Sequence, residues 1–124
     1  MNSIVLVVDD EPGVADVAAL VLEQQGYCAL AAYSAAEAIK ILGNTDVALI
    51  LSDVHMPGVD GVELAIAARK ECPRIKVLLM SGSETSETIK GRQDCQGCKG
   101  CPFQVMSKPF ERRELLDRVE KLLN

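Results

Sequence analysis

The stretch IVLVVDDEP, residues 4–12, decides the fold class. Ile4, Val5, Leu6, Val7 and Val8 form an aliphatic run, mostly β-branched, with no polar residue to supply a solvent face. Such a run reads as a strand buried on both sides. Strands of that kind belong to parallel sheets covered by helices above and below. The run stops at three acidic residues, Asp9, Asp10 and Glu11, and Pro12 and Gly13 lead into the next segment.

Outward from this strand the chain alternates apolar runs with amphipathic stretches. Val14, Val17, Ala18 and Val21 fall at i, i+3, i+4 and i+7, one face of a helix that Gly26 is placed to end. Cys28–Ala32 is a weaker second strand. Ser34 and Glu37 have capping-box spacing and open a helix that closes near Gly43. Val47–Leu51 is a third strand, followed by a turn with Pro57, Gly58 and Gly61. Asp60 can cap a helix running to about Lys70, which Pro73 stops. Ile75–Met80 reads as the fourth strand, Ser83–Arg92 as a polar, weakly helical stretch, and Phe103–Ser107 as a short fifth strand. Glu111–Leu123 is a helix with Leu115, Leu116, Val119, Leu122 and Leu123 on its apolar side. Five β–α units predict an α/β domain. Its sheet is five-stranded, parallel and doubly wound, of flavodoxin-like type, with strand order 2-1-3-4-5.

The chain of 124 residues fits one domain, residues 1–124. Hydrophobic residues make up 48% and aromatics only 3%, so Val, Leu, Ile and Ala must build the core. No apolar run reaches the roughly 18 residues of a membrane span. The N-terminus turns acidic without a basic n-region, so no secretory signal is expected and the cytoplasm is predicted. With 13 basic against 18 acidic residues the net charge is −5, which disfavours direct contact with nucleic acid.

In open α/β sheets the functional crevice lies beyond the carboxyl ends of the strands. There, strand one delivers Asp9, Asp10 and Glu11, strand three Asp53, strand four Ser81 and strand five Lys108. Three aspartates brought together repel one another unless a cation joins them. An incomplete, all-oxygen cage suits Mg²⁺, which keeps waters and also binds phosphate oxygens. A carboxylate beside Mg²⁺ can act as a nucleophile toward phosphorus, with Ser81 and Lys108 binding the phosphoryl oxygens. The residues alone thus suggest phosphoryl transfer onto a carboxylate.

VLVVDDEP (5–12), LILSDVHMPGVDG (49–61), VLLMSG (77–82) and SKPF (107–110), in this order and spacing, resemble the receiver domain of response regulators, the CheY-like phosphoacceptor of two-component signalling. The resemblance covers essentially the whole chain. It implies Asp53 as phosphoacceptor, and Asp9 and Asp10 as the acidic pair that holds Mg²⁺ with Asp53. The main-chain carbonyl of His55 is implied as a further ligand. Ser81 stands at the switch hydroxyl position, and Lys108 at the lysine that meets the phosphoryl group, with a cis peptide expected before Pro109. The implied donor is a phosphohistidine of a sensor histidine kinase or phosphotransfer protein. The implied output is a shift of the face formed by the fourth helix, fifth strand and fifth helix. Weak homodimers through that face are a further family trait.

Two departures stand out. Where the family usually has Tyr or Phe three residues before the lysine, this chain has Val105, with Phe103 two residues earlier on the same strand face. The segment between Ser81 and Lys108 is also longer than the family pattern. It carries Cys95, Cys98 and Cys101 in a C-x₂-C-x₂-C array. That spacing suits Zn²⁺ or the start of an iron–sulfur motif, without the fourth cysteine of such a run. The topology brings Cys72 to the same end of the sheet as a candidate fourth thiolate, opposite Asp53. Reduced thiols, a pairwise disulfide and a metal site are all open readings of this array. Cys28 is expected in the core. Besides the phosphoacceptor, the alternative function is a phosphorylation-independent interaction module gated by the cysteine loop.

Overall fold

The computed structural model describes residues 3–56, 58, 61–81, 104–107 and 110–123. β1 (Ile4–Val8) is an interior strand, and Val5 to Val8 are wholly buried, as an aliphatic run without a polar face requires. Around it stand β2 (Cys28–Ala32), β3 (Leu49–Asp53), β4 (Lys76–Ser81) and β5 (Gln104–Ser107). All neighbours pair in parallel, in the order β2-β1-β3-β4-β5. The described helices are α1 (Pro12–Gln24), α2 (Ala35–Asn44), α3 (Gly61–Glu71) and α4 (Arg112–Leu123). The doubly wound α/β sheet expected from the strand pattern is therefore present in the expected order. The Ser83–Arg92 stretch lies outside the described residues.

The sheet divides the apolar interior in two. On one side Leu6, Val8, Ile50, Val77, Leu79 and Val105 pack with residues of α2 and α3. On the other, Val5, Val7, Leu51, Leu78, Met80 and Met106 pack with α1 and α4. Alternation of side chains along each strand sends successive residues to opposite layers.

Local signals set the helix ends. Pro12 occupies the first turn of α1, where its missing N–H costs nothing. At the other end, the N–H of Gly26 donates to Glu23 O (3.0 Å) and that of Tyr27 to Leu22 O (3.2 Å). With Gly26 at φ 96° this is a Schellman cap, which the positive φ reserves for glycine. Ser34 Oγ accepts the Glu37 N–H at 3.2 Å. Glu37 reaches back to the N–H of Tyr33, one residue before the N-cap, rather than to that of Ser34.

Three expectations are corrected. The buried face of α1 is Ala15, Ala18, Ala19 and Leu22, and Val17 points to solvent. β3 begins and ends two residues later than the aliphatic run suggested, so it carries Ser52 and Asp53 as strand residues. Cys28 is exposed, because it opens the edge strand β2, which pairs with β1 on one side only.

Candidate functional site

Register brings the acidic residues together. The β1–β3 ladder closes at Val8 opposite Ser52, so the next residues along the two strands are Asp9 and Asp53. Asp9 is wholly buried and Asp53 nearly so, whereas Asp10 is exposed. One carboxylate oxygen from each of Asp9, Asp10 and Asp53 lies within 4.8 Å of the other two. Main-chain donors orient two of the carboxylates. The Glu11 N–H donates to Asp9 Oδ1 at 2.9 Å, and the His55 N–H to Asp53 Oδ1 at 3.3 Å. The Asp9 N–H itself donates to Ala32 O at 3.1 Å, which ties the acidic loop to the end of β2.

The pocket edge comes from β4 and β5. Asp53 is level with Met80, and Ser81, 1% exposed, is the next residue of β4. The Cα of Ser81 pairs with that of Ser107, the residue before Lys108. Lys108 and the expected cis peptide to Pro109 lie outside the described residues. The side chain of His55 is exposed.

The turn after β3 is held tightly. The Val54 N–H donates to Met80 O (2.9 Å), and the Gly61 N–H to Val54 O (2.8 Å). A Cβ added to Gly61 would overlap the Asp53 carbonyl oxygen and come within 2.9 Å of its carbon. Glycine is therefore what lets the first residue of α3 rest on the peptide that follows Asp53. Ser52, wholly buried, donates from Oγ to the same Asp53 carbonyl oxygen at 3.0 Å. These two supporting residues escaped the reading of strand ends. The signal for Ser52 was a lone hydroxyl in an aliphatic strand.

Chemically, the cluster is three hard carboxylate oxygen donors with one member open to solvent. Two nearly buried carboxylates beside a third repel one another, and a divalent cation with oxygen ligands relieves this. The donor set fits Mg²⁺, and no thiolate or imidazole in it favours a softer metal.

Over residues 5–120 the sequence matches the response regulator receiver domain. The chain belongs to the response-regulator receiver family. Among solved structures, it is similar to the receiver domain of the hybrid histidine kinase CckA. Identity is 31%, coverage 98% of this chain and 100% of that one, and the TM-score 0.79. A CheY-like receiver domain protein from Methanospirillum hungatei shares 26% identity over 99% of this chain and 94% of its own, with a TM-score of 0.84. The response regulator TrrA of Thermotoga maritima, solved in complex with Mg²⁺ and BeF, shares 29% over 98% and 99%, with a TM-score of 0.80.

In this receiver domain the family's usual aromatic position holds Val105. It is buried, level with Leu79, in the layer packed by α2 and α3. Phe103 lies outside the described residues, as do Cys95, Cys98 and Cys101. Cys72 is a free, half-buried thiol packed against that same layer, just before β4. No described helix is long and apolar enough to cross a membrane.

Proposed function

We propose that this receiver domain, one folding unit over residues 1–124, takes a phosphoryl group onto Asp53 and signals through the resulting change of state. The observation that carries the reading is the convergence of Asp9, Asp10 and Asp53 on one point at the carboxyl ends of the strands. A carboxylate oxygen of Asp53 attacks the phosphorus of a phosphohistidine as the P–N bond breaks. The electron pair leaves with the imidazole, which then takes up a proton. The product is an acyl phosphate on Asp53. Asp9, Asp10 and Asp53 would hold Mg²⁺, together with the main-chain carbonyl of His55. Magnesium, when bound, neutralises carboxylate and phosphoryl charge.

The Glu11 N–H orients the Asp9 carboxylate, which supports this role. Ser81 and Lys108 are assigned to the phosphoryl oxygens, Ser81 by hydrogen bond and Lys108 by charge. The partners on this reading are a sensor histidine kinase or phosphotransfer protein upstream and an output partner downstream, in the cytoplasm. Weak self-association is part of the same reading. A phosphorylation-independent module is not favoured, because a pocket of three assembled carboxylates has no use in it.

The test is an intact-mass spectrum after incubation with acetyl phosphate and Mg²⁺. The native chain gains one phosphoryl group and Asp53→Ala gains none. Labelling of neither, or of both, refutes the assignment. The thiolate reading rests on the sequence spacing of Cys95, Cys98 and Cys101, with Cys72 added from its place in the topology. Metal analysis of anaerobically purified protein tests it, and protein free of zinc and iron ends it.

A further inference from the structure

β3 is aliphatic up to its last two residues, Ser52 and Asp53. Ser52 is wholly buried in the central strand of the sheet. Valine or isoleucine there would bury more apolar surface and fit a strand better. A hydroxyl in such a place costs free energy unless it is hydrogen-bonded. The bond it makes is specific: Oγ donates to the main-chain carbonyl oxygen of Asp53 at 3.0 Å.

That carbonyl lies beyond the β1–β3 ladder, whose last pair is Val8 and Ser52. The same peptide unit carries the Val54 N–H, which donates to Met80 O at 2.9 Å. Both polar ends of the Asp53–Val54 peptide are thus held, one by a strand neighbour and one by a side chain. Gly61 closes the arrangement by resting against the same carbonyl. A peptide plane fixed in this way sets the course of the main chain to His55, whose N–H donates to Asp53 Oδ1 at 3.3 Å and so orients the carboxylate.

We propose that Ser52 is a positioning residue: its hydroxyl locks the Asp53–Val54 peptide plane and so aims the Asp53 carboxylate. The inference rests on Asp53 being the phosphoacceptor.

The experiment compares native chain, Ser52→Ala and Ser52→Thr. Each is phosphorylated by acetyl phosphate over a series of Mg²⁺ concentrations and followed by intact mass, with thermal melts alongside. Loss of one aligned hydrogen bond predicts phosphorylation about fivefold slower in Ser52→Ala. Ser52→Thr keeps the oxygen and recovers the rate. Ser52→Ala labelled at the native rate throughout the series overturns the proposal. So do Ala and Thr variants that both fold and are equally slow. Should Ser52→Ala fail to fold, Ser52→Thr against Ser52→Val decides, since the two share a shape and differ in the hydroxyl. A slower Val variant supports the proposal, and equal rates overturn it. A native chain that takes no phosphoryl group defeats the acceptor reading and this inference with it. A labelled native chain matched by Ser52→Ala defeats this inference alone.

Discussion

Tyr33 directly follows the edge strand β2 and fastens it to α1. Its hydroxyl donates to Asp16 Oδ1 at 2.6 Å, and its N–H donates to Glu37 Oε1 at 3.0 Å. The bond to Asp16 holds the phenol proton and raises the pKa above the ordinary 10.0. Desolvation and the charges of Asp16 and Glu37 act in the same direction. A folded-state pKa above the unfolded one means the bond stabilises the fold fully below pH 10. That contribution is lost as pH rises through the raised value. An ultraviolet titration of Asp16→Asn is expected to bring the Tyr33 midpoint down, with Tyr33→Phe identifying the step. An unmoved midpoint would show that Asp16 does not hold the proton. Gly61→Ala probes the other side of the site. Displacing α3 from the Asp53 carbonyl is expected to cost about 1–3 kcal/mol in urea denaturation. A native midpoint would mean that the turn accommodates a methyl group. Asp9, Asp10 and Asp53 were legible in the sequence because strand ends in this topology converge. Ser52 and Gly61 were not, because their roles follow from register and a close backbone approach that spacing does not encode.

Among the elements, α1 shows where periodicity stops being informative. Val14, Val17, Ala18 and Val21 obey helical spacing, and so do Ala15, Ala18, Ala19 and Leu22. Spacing established the helix but left its rotation open, since apolar residues nearly encircle it. Burial selects the face of Ala15, Ala18, Ala19 and Leu22. Val17 is left 60% exposed and Leu20 56%. Val17→Ser is expected to change stability by no more than about 0.5 kcal/mol. Leu22→Ala, in the packed layer, is expected to cost about 2–5 kcal/mol. Urea denaturation of both variants checks the assignment, and a reversed ranking would restore the valine face. β3 carries the same lesson for strand ends. Hydrophobicity falls at Ser52, yet the ladder to β4 runs on to Asp53 opposite Met80. Backbone pairing with a longer neighbour outlasts the apolar signal.

For the molecule as a whole, the acidic pocket opposes folding as well as serving function. Three carboxylates within 4.8 Å repel, and two of them are largely removed from water. Without Mg²⁺, Asp53→Asn is therefore expected to melt higher than the native chain. Added Mg²⁺ is expected to raise the native melting temperature and to move that of Asp53→Asn much less, because ligand binding to the folded state stabilises it. A native melting curve indifferent to Mg²⁺ would show that the pocket does not take the ion. The fold class was legible throughout, since strand runs and helix caps agreed with one another. The sheet also keeps its two apolar layers apart, one against α2 and α3 and one against α1 and α4. Residues without a shared neighbour change stability independently. The two halves of this interior can therefore diverge on separate evolutionary schedules, each repacked without consulting the other. Among the described residues, the strand ends are where both layers meet the acidic pocket and must agree.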